Sequence, residues 1–393
     1  MIRTRTLPQV IASMAALLML TASAAVSAAP ASAEAASSGP IVPCLQNAGD
    51  PSPDGCPEPP ERECRDGVDN DSDGRTDHPD DPGCTSPWDN SESPDPPTAY
   101  VVDFDGDRLT DRAVYRRSLD GATWHVKGTT GSDTTVRYGA PDDIPVAGDY
   151  DGDGLINRAV FRPSDGTWWI LLADLKTTRD VVTFGQRGDI PVPGDYDGDK
   201  QTDIAVWRPS NGTWYVQRSS DRATVEQAWG QDGDKPVLGD YDGDKKNDYA
   251  VWRPSEGKWH IIKSSSGEEI HYAFGAATDK PVPGDYDGDM DTDLAVWRPS
   301  EGRWYVSTDY NGGFTSEAWG ASGDYLVPAY YDGDPKTDYA VWRPATGNWH
   351  VLMSATNTQD HQPFGRGDLN DIPVFFSGFT GGVVDIRARV PRQ

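Results

Sequence analysis

From Tyr100 onward, apolar and polar positions recur in a fixed order, in units of 45 or 46 residues. Each unit has a short apolar stretch ("IPVPGDY"), an acidic loop and an alternating stretch ("DIAVWRP"). A turn ("SNG" or "SEG"), a second alternating stretch ("TWYVQRS") and a third stretch that ends in an aromatic–Gly pair complete it. Alternation with a period of two predicts β-strands. Each unit therefore predicts four short strands joined by turns.

A four-stranded repeat of this length is typical of a β-propeller blade. The 41 glycines and 32 prolines exclude a helical solenoid of similar period. The tail, "DIPVFFSGFTGGVVDIRARVP", is a degenerate seventh copy without the acidic cluster. We predict an all-β propeller of four-stranded antiparallel blades, with six complete repeats and most simply a seven-bladed ring. Six blades latched by the C-terminal strands are the alternative.

The repeated tryptophans are expected to form the core between blades, because both faces of a blade pack against neighbours. Stacking of some of them on a sugar is the other interpretation. These residues are Trp207, Trp214, Trp252, Trp259, Trp297, Trp304, Trp342 and Trp349.

The acidic loops, which we number 1 to 6 along the chain, place side-chain oxygens at positions 1, 3, 5 and 9. The residues are Asp103, Asp105, Asp107 and Asp111 in loop 1; Asp149, Asp151, Asp153 and Asn157 in loop 2; Asp195, Asp197, Asp199 and Asp203 in loop 3; Asp240, Asp242, Asp244 and Asp248 in loop 4; Asp285, Asp287, Asp289 and Asp293 in loop 5; and Asp332, Asp334 and Asp338 in loop 6. A further loop before the repeats contains Asp69, Asp71, Asp73 and Asp77.

Carboxylates this close repel one another unless a cation lies among them. Several carboxylate oxygens and a backbone carbonyl at such spacing favour calcium, which takes 6–8 oxygen ligands in a flexible cage. We therefore predict about six or seven Ca²⁺ sites. Loop 6 is expected to be weak, because Tyr330 occupies its position 1.

The N-terminal region predicts secretion. Arg3 and Arg5 precede an apolar run from Val10 to Leu20 and then small residues, which is the pattern of a signal peptide over residues 1–28, cleaved near Ala28 or Ala33. Residues 29–97 form a Pro- and Asp-rich linker, and residues 98–393 form the propeller. Four cysteines in a secreted chain predict two disulfides, for which we favour Cys44–Cys56 and Cys64–Cys84 among three possible pairings.

The motif "GDYDGD…D-x-AVWRPS-x-G-x-WYV…WG" across residues 98–391 resembles the FG-GAP/VCBS repeat family, bacterial relatives of the integrin α-chain propeller. The resemblance implies a calcium-binding β-propeller, typically seven-bladed, with a role in adhesion or ligand binding. The family commonly has Gly at loop position 6, whereas only Gly154 keeps it here. The replacements are Arg108, Lys200, Lys245, Met290 and Pro335. The linker resembles a Cys-bracketed "DG-x-DND-x-DG" element of secreted and surface bacterial proteins.

The formal charge of −28 argues against nucleic acid or anionic lipid as a partner. We expect a non-catalytic, monomeric binding or adhesion module for extracellular protein or matrix, without a transmembrane segment. A multivalent lectin is the first alternative, with the "SNG-x-W" and "SEG-x-W" turns as pockets. A polysaccharide-active enzyme is the second.

The histidines and two Arg-Gly-Asp triplets add little to these expectations. His125, His260 and His350 share one strand position with Tyr and Trp, which indicates packing, while His271 and His361 show no evident partner. The triplets Arg187–Asp189 and Arg366–Asp368 fall in the turn before "IPV", so we interpret Gly-Asp as part of the turn.

Overall fold

The computed structural model describes residues 102–308, 310 and 312–375. These residues form 24 β-strands and one turn of 3₁₀-helix, Gly367–Leu369. The strands make six antiparallel four-stranded sheets, which are the blades of a propeller.

Blades 1 to 6 follow the chain, and the strand bounds repeat with the period of the sequence. Blade 1 contains β1 (Arg112–Ser118), β2 (Gly121–Lys127), β3 (Thr134–Arg137) and β24 (Asp371–Val374); blade 2 contains β4 (Ile144–Pro145), β5 (Arg158–Arg162), β6 (Thr167–Leu171) and β7 (Thr178–Thr183); blade 3 contains β8 (Ile190–Pro191), β9 (Ile204–Arg208), β10 (Thr213–Gln217) and β11 (Thr224–Ala228). Blade 4 contains β12 (Lys235–Pro236), β13 (Tyr249–Arg253), β14 (Lys258–Ile262) and β15 (Glu269–Ala273); blade 5 contains β16 (Lys280–Pro281), β17 (Leu294–Arg298), β18 (Arg303–Ser307) and β19 (Thr315–Ala318); blade 6 contains β20 (Tyr325–Leu326), β21 (Tyr339–Arg343), β22 (Asn348–Leu352) and β23 (Gln359–Pro363).

The C-terminal strand closes the ring. Strand β24 pairs antiparallel with β1, and Val374 lies opposite Ala113. The tail therefore supplies the missing strand of blade 1 instead of starting a seventh blade. The preference for seven blades is wrong for the described residues, which form a closed six-bladed ring.

A ring of backbone hydrogen bonds between neighbouring loops shows the closure directly. In each pair the N–H at loop position 8 donates to the carbonyl at position 1 of the preceding loop. Five donors lie in loops 2 to 6 and the sixth, from Thr110 of loop 1 to Tyr330 of loop 6, joins the ends of the chain at 2.8 Å. The other pairs span 2.5–2.8 Å: Ile156 to Asp103, Thr202 to Asp149, Asn247 to Asp195, Thr292 to Asp240, and Thr337 to Asp285.

Hydrophobic packing follows the same closed order. Each of six core clusters combines the aromatic core of one blade with a valine of the next, and Val114 of blade 1 packs with Trp342 of blade 6. All eight tryptophans predicted for the core are completely buried. Trp207 and Trp214 lie opposite each other on β9 and β10, and both indole N–H groups donate to the carbonyl of Trp229, at 3.1 and 3.2 Å. The packing interpretation is confirmed, and these indoles have no face left for a sugar.

A buried Asp–Arg ion pair recurs in every blade and was missed in the sequence. In blade 3, Asp189 accepts two hydrogen bonds from the guanidinium of Arg208, both at 2.8 Å. The equivalent pairs are Asp143–Arg162, Asp234–Arg253, Asp279–Arg298, Asp324–Arg343 and, across the closure, Asp371–Arg116. The bidentate geometry joins the turn before one strand to the end of the next.

This ion pair accounts for the first of the two Arg-Gly-Asp triplets, and the second has a pair of its own. Asp189 belongs to the buried pair, so its carboxylate is not available to a partner. Asp368 lies in the exposed 3₁₀ turn and pairs with Arg366 of its own triplet at 2.7 Å.

Candidate metal centre

Each acidic loop is a closed nine-residue excursion that ends at the start of the strand carrying the "AVWR"-type sequence, which is β1, β5, β9, β13, β17 or β21. In loop 3 the N–H of Asp203 donates to the carbonyl of Gly194 at 2.8 Å, and the other five loops close in the same way. Closure brings positions 1 to 9 around one centre. Alternate side chains can then converge, as the spacing predicts.

The position-1 carboxylate organises the backbone of the loop. Asp195 accepts the N–H of Gly198 at 2.6 Å and that of Lys200 at 2.8 Å, one on each oxygen. The same two contacts, from positions 4 and 6, are made by Asp103, Asp149, Asp240 and Asp285. Backbone donors favour the charged form of a carboxylate and fix its direction.

Position 6 adopts a left-handed backbone even without glycine. Lys200 has φ +68°, and Arg108, Lys245 and Met290 have φ +66°, +67° and +73°, close to the +84° of Gly154. A side chain in this region costs about 1–2 kcal/mol. The loss of glycine at position 6 therefore leaves the loop geometry intact in loops 1, 3, 4 and 5, at the expense of local strain.

In five loops three carboxylates approach closely enough to share one ion, with oxygens within 4.8 Å of one another. Positions 1 and 3 take part every time. The groups are Asp103, Asp105 and Asp111; Asp149, Asp151 and Asp153; Asp195, Asp197 and Asp199; Asp240, Asp242 and Asp248; and Asp285, Asp287 and Asp289. The remaining predicted ligands of these five loops lie on the same loops but outside the groups; they are Asp107, Asn157, Asp203, Asp244 and Asp293.

The position-3 carboxylates supply an independent indication of a cation. One oxygen each of Asp105, Asp151 and Asp242 is buried and has no hydrogen-bond donor among the described residues. A buried carboxylate oxygen without a donor is costly. A hard dication coordinated by these oxygens would remove that cost, and oxygen-only donors suit Ca²⁺ better than a nitrogen- or sulfur-seeking metal.

The position-9 side chain holds the loop to the hairpin between the third and fourth strands. Asp203 is buried; one oxygen accepts the N–H of Tyr196 at 2.9 Å, and the other accepts the N–H of Ser219 at 2.6 Å. Burial raises the pKa of Asp203 to about 7, and it does the same for Asp111, Asp248 and Asp338. Desolvation thus opposes the charged form wherever no cation compensates it.

Hairpin serines and threonines are loop partners that the sequence analysis missed. The Ser219 hydroxyl donates to both oxygens of Asp199, at 2.9 and 2.8 Å, and Ser220 donates to Asp197 at 2.5 Å. Ser264 and Ser354 repeat the contact in loops 4 and 6. The signal was present, because "RSS", "KSS" and "MSA" stand at one spacing after the acidic cluster.

Loop 6 departs from the others as a unit. Tyr330 at position 1 is completely buried and lies in a hydrophobic cluster with Val102 and Ile156. Pro335 at position 6 has no N–H, which is the group that a position-1 carboxylate accepts elsewhere. No triad forms from Asp332, Asp334 and Asp338 among the described residues. Tyr330 removes the acceptor, and Pro335 removes the donor, of the hydrogen bond that joins positions 1 and 6 in the other loops.

Several predictions fall outside the described residues. These are the signal peptide, both disulfides, and the linker loop of Asp69, Asp71, Asp73 and Asp77. Within the described ranges, no helix has the length and apolarity needed to cross a bilayer.

The histidines are arranged differently from what the sequence analysis expected. His260 and His271 lie opposite each other on β14 and β15, with their Nδ1 atoms 2.8 Å apart, and His350 and His361 repeat this on β22 and β23. The expectation that His271 and His361 lack partners is wrong. The two histidines of each pair face each other because of the register of the β-hairpin, and their separation of 11 residues in the sequence does not reveal that register.

Comparison with known proteins supports the repeat assignment. The model of the FG-GAP-like repeat family matches residues 195–268, which span loop 3 to the β14–β15 hairpin of blade 4. No curated protein matches the chain.

Solved propeller structures resemble the fold at low sequence identity. An Agrocybe aegerita lectin, described as specifically recognising non-reducing terminal N-acetylglucosamine, has 13% identity and a TM-score of 0.45, covering 66% of this chain and 78% of its own. TolB from Acinetobacter baumannii has 15% identity and a TM-score of 0.47, with 67% and 65% covered. A nidogen/laminin complex chain has 10% identity and a TM-score of 0.44, with 66% and 95% covered.

These likenesses are too weak to carry a functional argument. The family match and the repeated architecture are sufficient for the assignment of the fold. Residues 195–268 match the FG-GAP-like repeat family, and the described residues form a six-bladed β-propeller in which the same sequence pattern recurs six times.

Proposed function

We propose that this chain is a secreted, calcium-stabilised β-propeller that serves as a non-catalytic binding scaffold for an extracellular protein or matrix ligand. The observation that carries the proposal is the convergence of three carboxylates in five of the six loops, with a position-3 oxygen buried and without a donor in three of them. Asp195, Asp197 and Asp199 with their equivalents would hold the ions.

The position of the loops gives calcium a structural role. The residue that presents the position-1 carboxylate also offers its carbonyl to the next blade, as Asp195 does to Asn247 at 2.6 Å. An ion that fixes this residue would therefore also fix the junction between two blades. Calcium would supply charge neutralisation and stiffness, which suits a rigid platform.

The most regularly repeated side chains outside the acidic loops serve the fold. The repeated aspartates before "PV" and the arginines of "WRP" are paired inside the blades, and the core tryptophans are buried. The lectin alternative loses its original basis, because Trp214, Trp259 and Trp304 of the "G-x-W" turns are completely buried. Catalysis on a polysaccharide stays a prediction to be tested by a depolymerisation assay.

Calcium dependence is tested by thermal melting of the full chain with about 1 mM Ca²⁺ and with EDTA. At a Kd of about 0.1 mM each filled loop contributes about 1.4 kcal/mol, so five loops contribute about 7 kcal/mol. We expect a fall in Tm of at least about 10 °C in EDTA. An unchanged Tm would refute the structural role of calcium.

Matched variants assign the effect to the loops. Asp197→Asn removes a triad carboxylate from loop 3 and should lower the Ca²⁺ stoichiometry in isothermal titration calorimetry by one. Asp332→Asn is the equivalent change in loop 6 and should leave the stoichiometry unchanged. Equal behaviour of the two variants would contradict the site assignment.

The class of ligand is tested separately by pull-down from extracellular fractions and by a glycan array, each with calcium and with EDTA. The proposal predicts a discrete protein partner retained only with calcium. Glycan hits that free monosaccharide displaces would instead identify a lectin.

A further inference from the structure

Two of the six blade junctions share a set of residues that the calcium loops do not use. We call them the Trp–His–His junctions: Trp229 with His260 and His271 between blades 3 and 4, and Trp319 with His350 and His361 between blades 5 and 6. In both, the two Nδ1 atoms are 2.8 Å apart and the imidazole rings are inclined by 68° and 67°.

The tryptophan of the preceding blade fixes one wall of each junction. The Trp229 indole N–H donates to the carbonyl of His260 at 3.0 Å, and that of Trp319 donates to the carbonyl of His350 at 3.1 Å. Each indole also stacks on the second histidine, with ring centroids 5.8 Å apart at His271 and 6.2 Å apart at His361. The same geometry recurs at two junctions whose Trp and His residues occupy equivalent positions of the repeat, so the arrangement is a feature of the repeat pattern.

We propose that each Trp–His–His junction binds one divalent transition-metal ion of the Zn²⁺, Ni²⁺ and Cu²⁺ class through the Nδ1 atoms of its two histidines. Neutral imidazole nitrogen is a preferred ligand of these ions, whereas Ca²⁺ takes oxygen. The junctions and the acidic loops therefore select different metals.

The observed distance requires only a small adjustment. With metal–nitrogen bonds of about 2.0–2.1 Å, two nitrogens at a tetrahedral angle lie about 3.3 Å apart. The pair must widen by about half an ångström from 2.8 Å. His271 is 51% exposed on the edge strand β15 and has room to rotate, and water can complete the coordination.

The burial of the first histidine limits the affinity. Metal at Nδ1 of His260 leaves the ring proton on Nε2, which is buried and has no acceptor within the described part of the chain; the same holds for His350. Metal-bound histidines usually donate this N–H, and loss of such a partner weakens binding about 10–100-fold. The junctions are therefore expected to be weaker than a structural zinc site.

The test is titration of the full chain with ZnCl₂ by isothermal titration calorimetry, with about 1 mM Ca²⁺ present to occupy the carboxylate loops. His271→Gln and His361→Gln should each remove one Zn²⁺ per chain, and the double variant should remove two. Both residues are exposed, so the fold should persist, which circular dichroism verifies. An unchanged stoichiometry in the double variant would overturn the proposal.

His125→Gln is the matched control. His125 occupies the same strand position, but its cross-strand neighbour is Thr135, with Nδ1 and the hydroxyl oxygen 3.2 Å apart. Zinc stoichiometry should be unaffected by this change, and a loss equal to that of His271→Gln would also overturn the proposal. As a second readout, NiCl₂ should quench the fluorescence of Trp229 and Trp319 in the parent and not in the double variant.

Discussion

Loops 3 and 6 share the hydrogen bonds that close the loop and attach it to its neighbours, and they differ in what occupies their centre. In both, position 9 accepts the N–H of position 2, at 2.9 Å for Asp203 and 2.7 Å for Asp338, and the N–H of a hairpin serine at 2.6 Å. In both, the position-1 carbonyl accepts an N–H from the next blade. Only loop 3 brings three carboxylates together.

The difference shows that the repeat combines two separable functions. The clamp between blades is made by backbone groups and the position-9 acid, and it persists without a carboxylate at position 1. The ion cage is made by positions 1 and 3 together with position 5 in loops 2, 3 and 5 or position 9 in loops 1 and 4, and it is lost in loop 6. There Tyr330 stabilises the junction by hydrophobic burial at the point where the last blade meets the first.

The largest effect is expected when the position-1 aspartate is introduced into loop 6 without any other change. Tyr330→Asp removes a completely buried side chain and places a carboxylate beside Val102, while Pro335 still offers no N–H to it. Cavity formation and the burial of a charge should destabilise the protein by about 4 kcal/mol, measured by urea unfolding.

Addition of Pro335→Gly to this variant supplies the N–H and permits a positive φ. The double variant should then gain one Ca²⁺ in calorimetry and recover stability with calcium but not with EDTA. If Tyr330→Asp alone is as stable as the parent, hydrophobic burial does not hold this junction.

An intermediate effect is expected at position 9, which both loops retain. Asp203→Ala and Asp338→Ala each remove the acceptor of two backbone N–H groups at the partly buried contact between loop and hairpin, so each should cost about 2–3 kcal/mol in EDTA. With calcium, the loss should grow for Asp203→Ala and stay constant for Asp338→Ala, because only loop 3 has a cage.

Asn157 provides the control for that experiment. It occupies position 9 of loop 2, and its side-chain oxygen accepts the N–H of Tyr150 at 2.8 Å, so an amide is compatible with the clamp. Asp338→Asn should therefore be milder than Asp338→Ala. Equal losses for the two would mean that charge, and not hydrogen bonding, holds the clamp.

The sequence predicted those parts of the molecule that each repeat contains in full. The order of the strands, the acidic loops and the burial of the repeated tryptophans could be predicted because six aligned copies show the same alternation of apolar and polar residues. The FG-GAP-like repeat match at residues 195–268 agrees with the resemblance inferred from that motif.

Features that depend on pairing between distant segments were not predicted. The blade count depends on Asp371–Val374 joining β1 instead of following the seventh-copy alignment. The Asp189–Arg208 pair is separated by 19 residues that include the acidic loop, although "D-x-P-V" and "W-R-P" recur together and could have revealed it. The histidine pairs depended on hairpin register, which sequence spacing leaves open.

The smallest effect tests position 6, where the two loops should respond with opposite sign. Lys200 has φ +68°, so Lys200→Gly relieves about 1–2 kcal/mol of strain, part of which is offset by the greater freedom of glycine in the unfolded chain; we expect a net gain of about 0.5 kcal/mol. Pro335 is not among the positive-φ residues, so Pro335→Gly only loosens the unfolded chain and should cost about 1 kcal/mol. Urea unfolding in EDTA measures both changes without a metal contribution. Destabilisation by Lys200→Gly would show that the lysine side chain, and not the backbone conformation, is what loop 3 needs at this position.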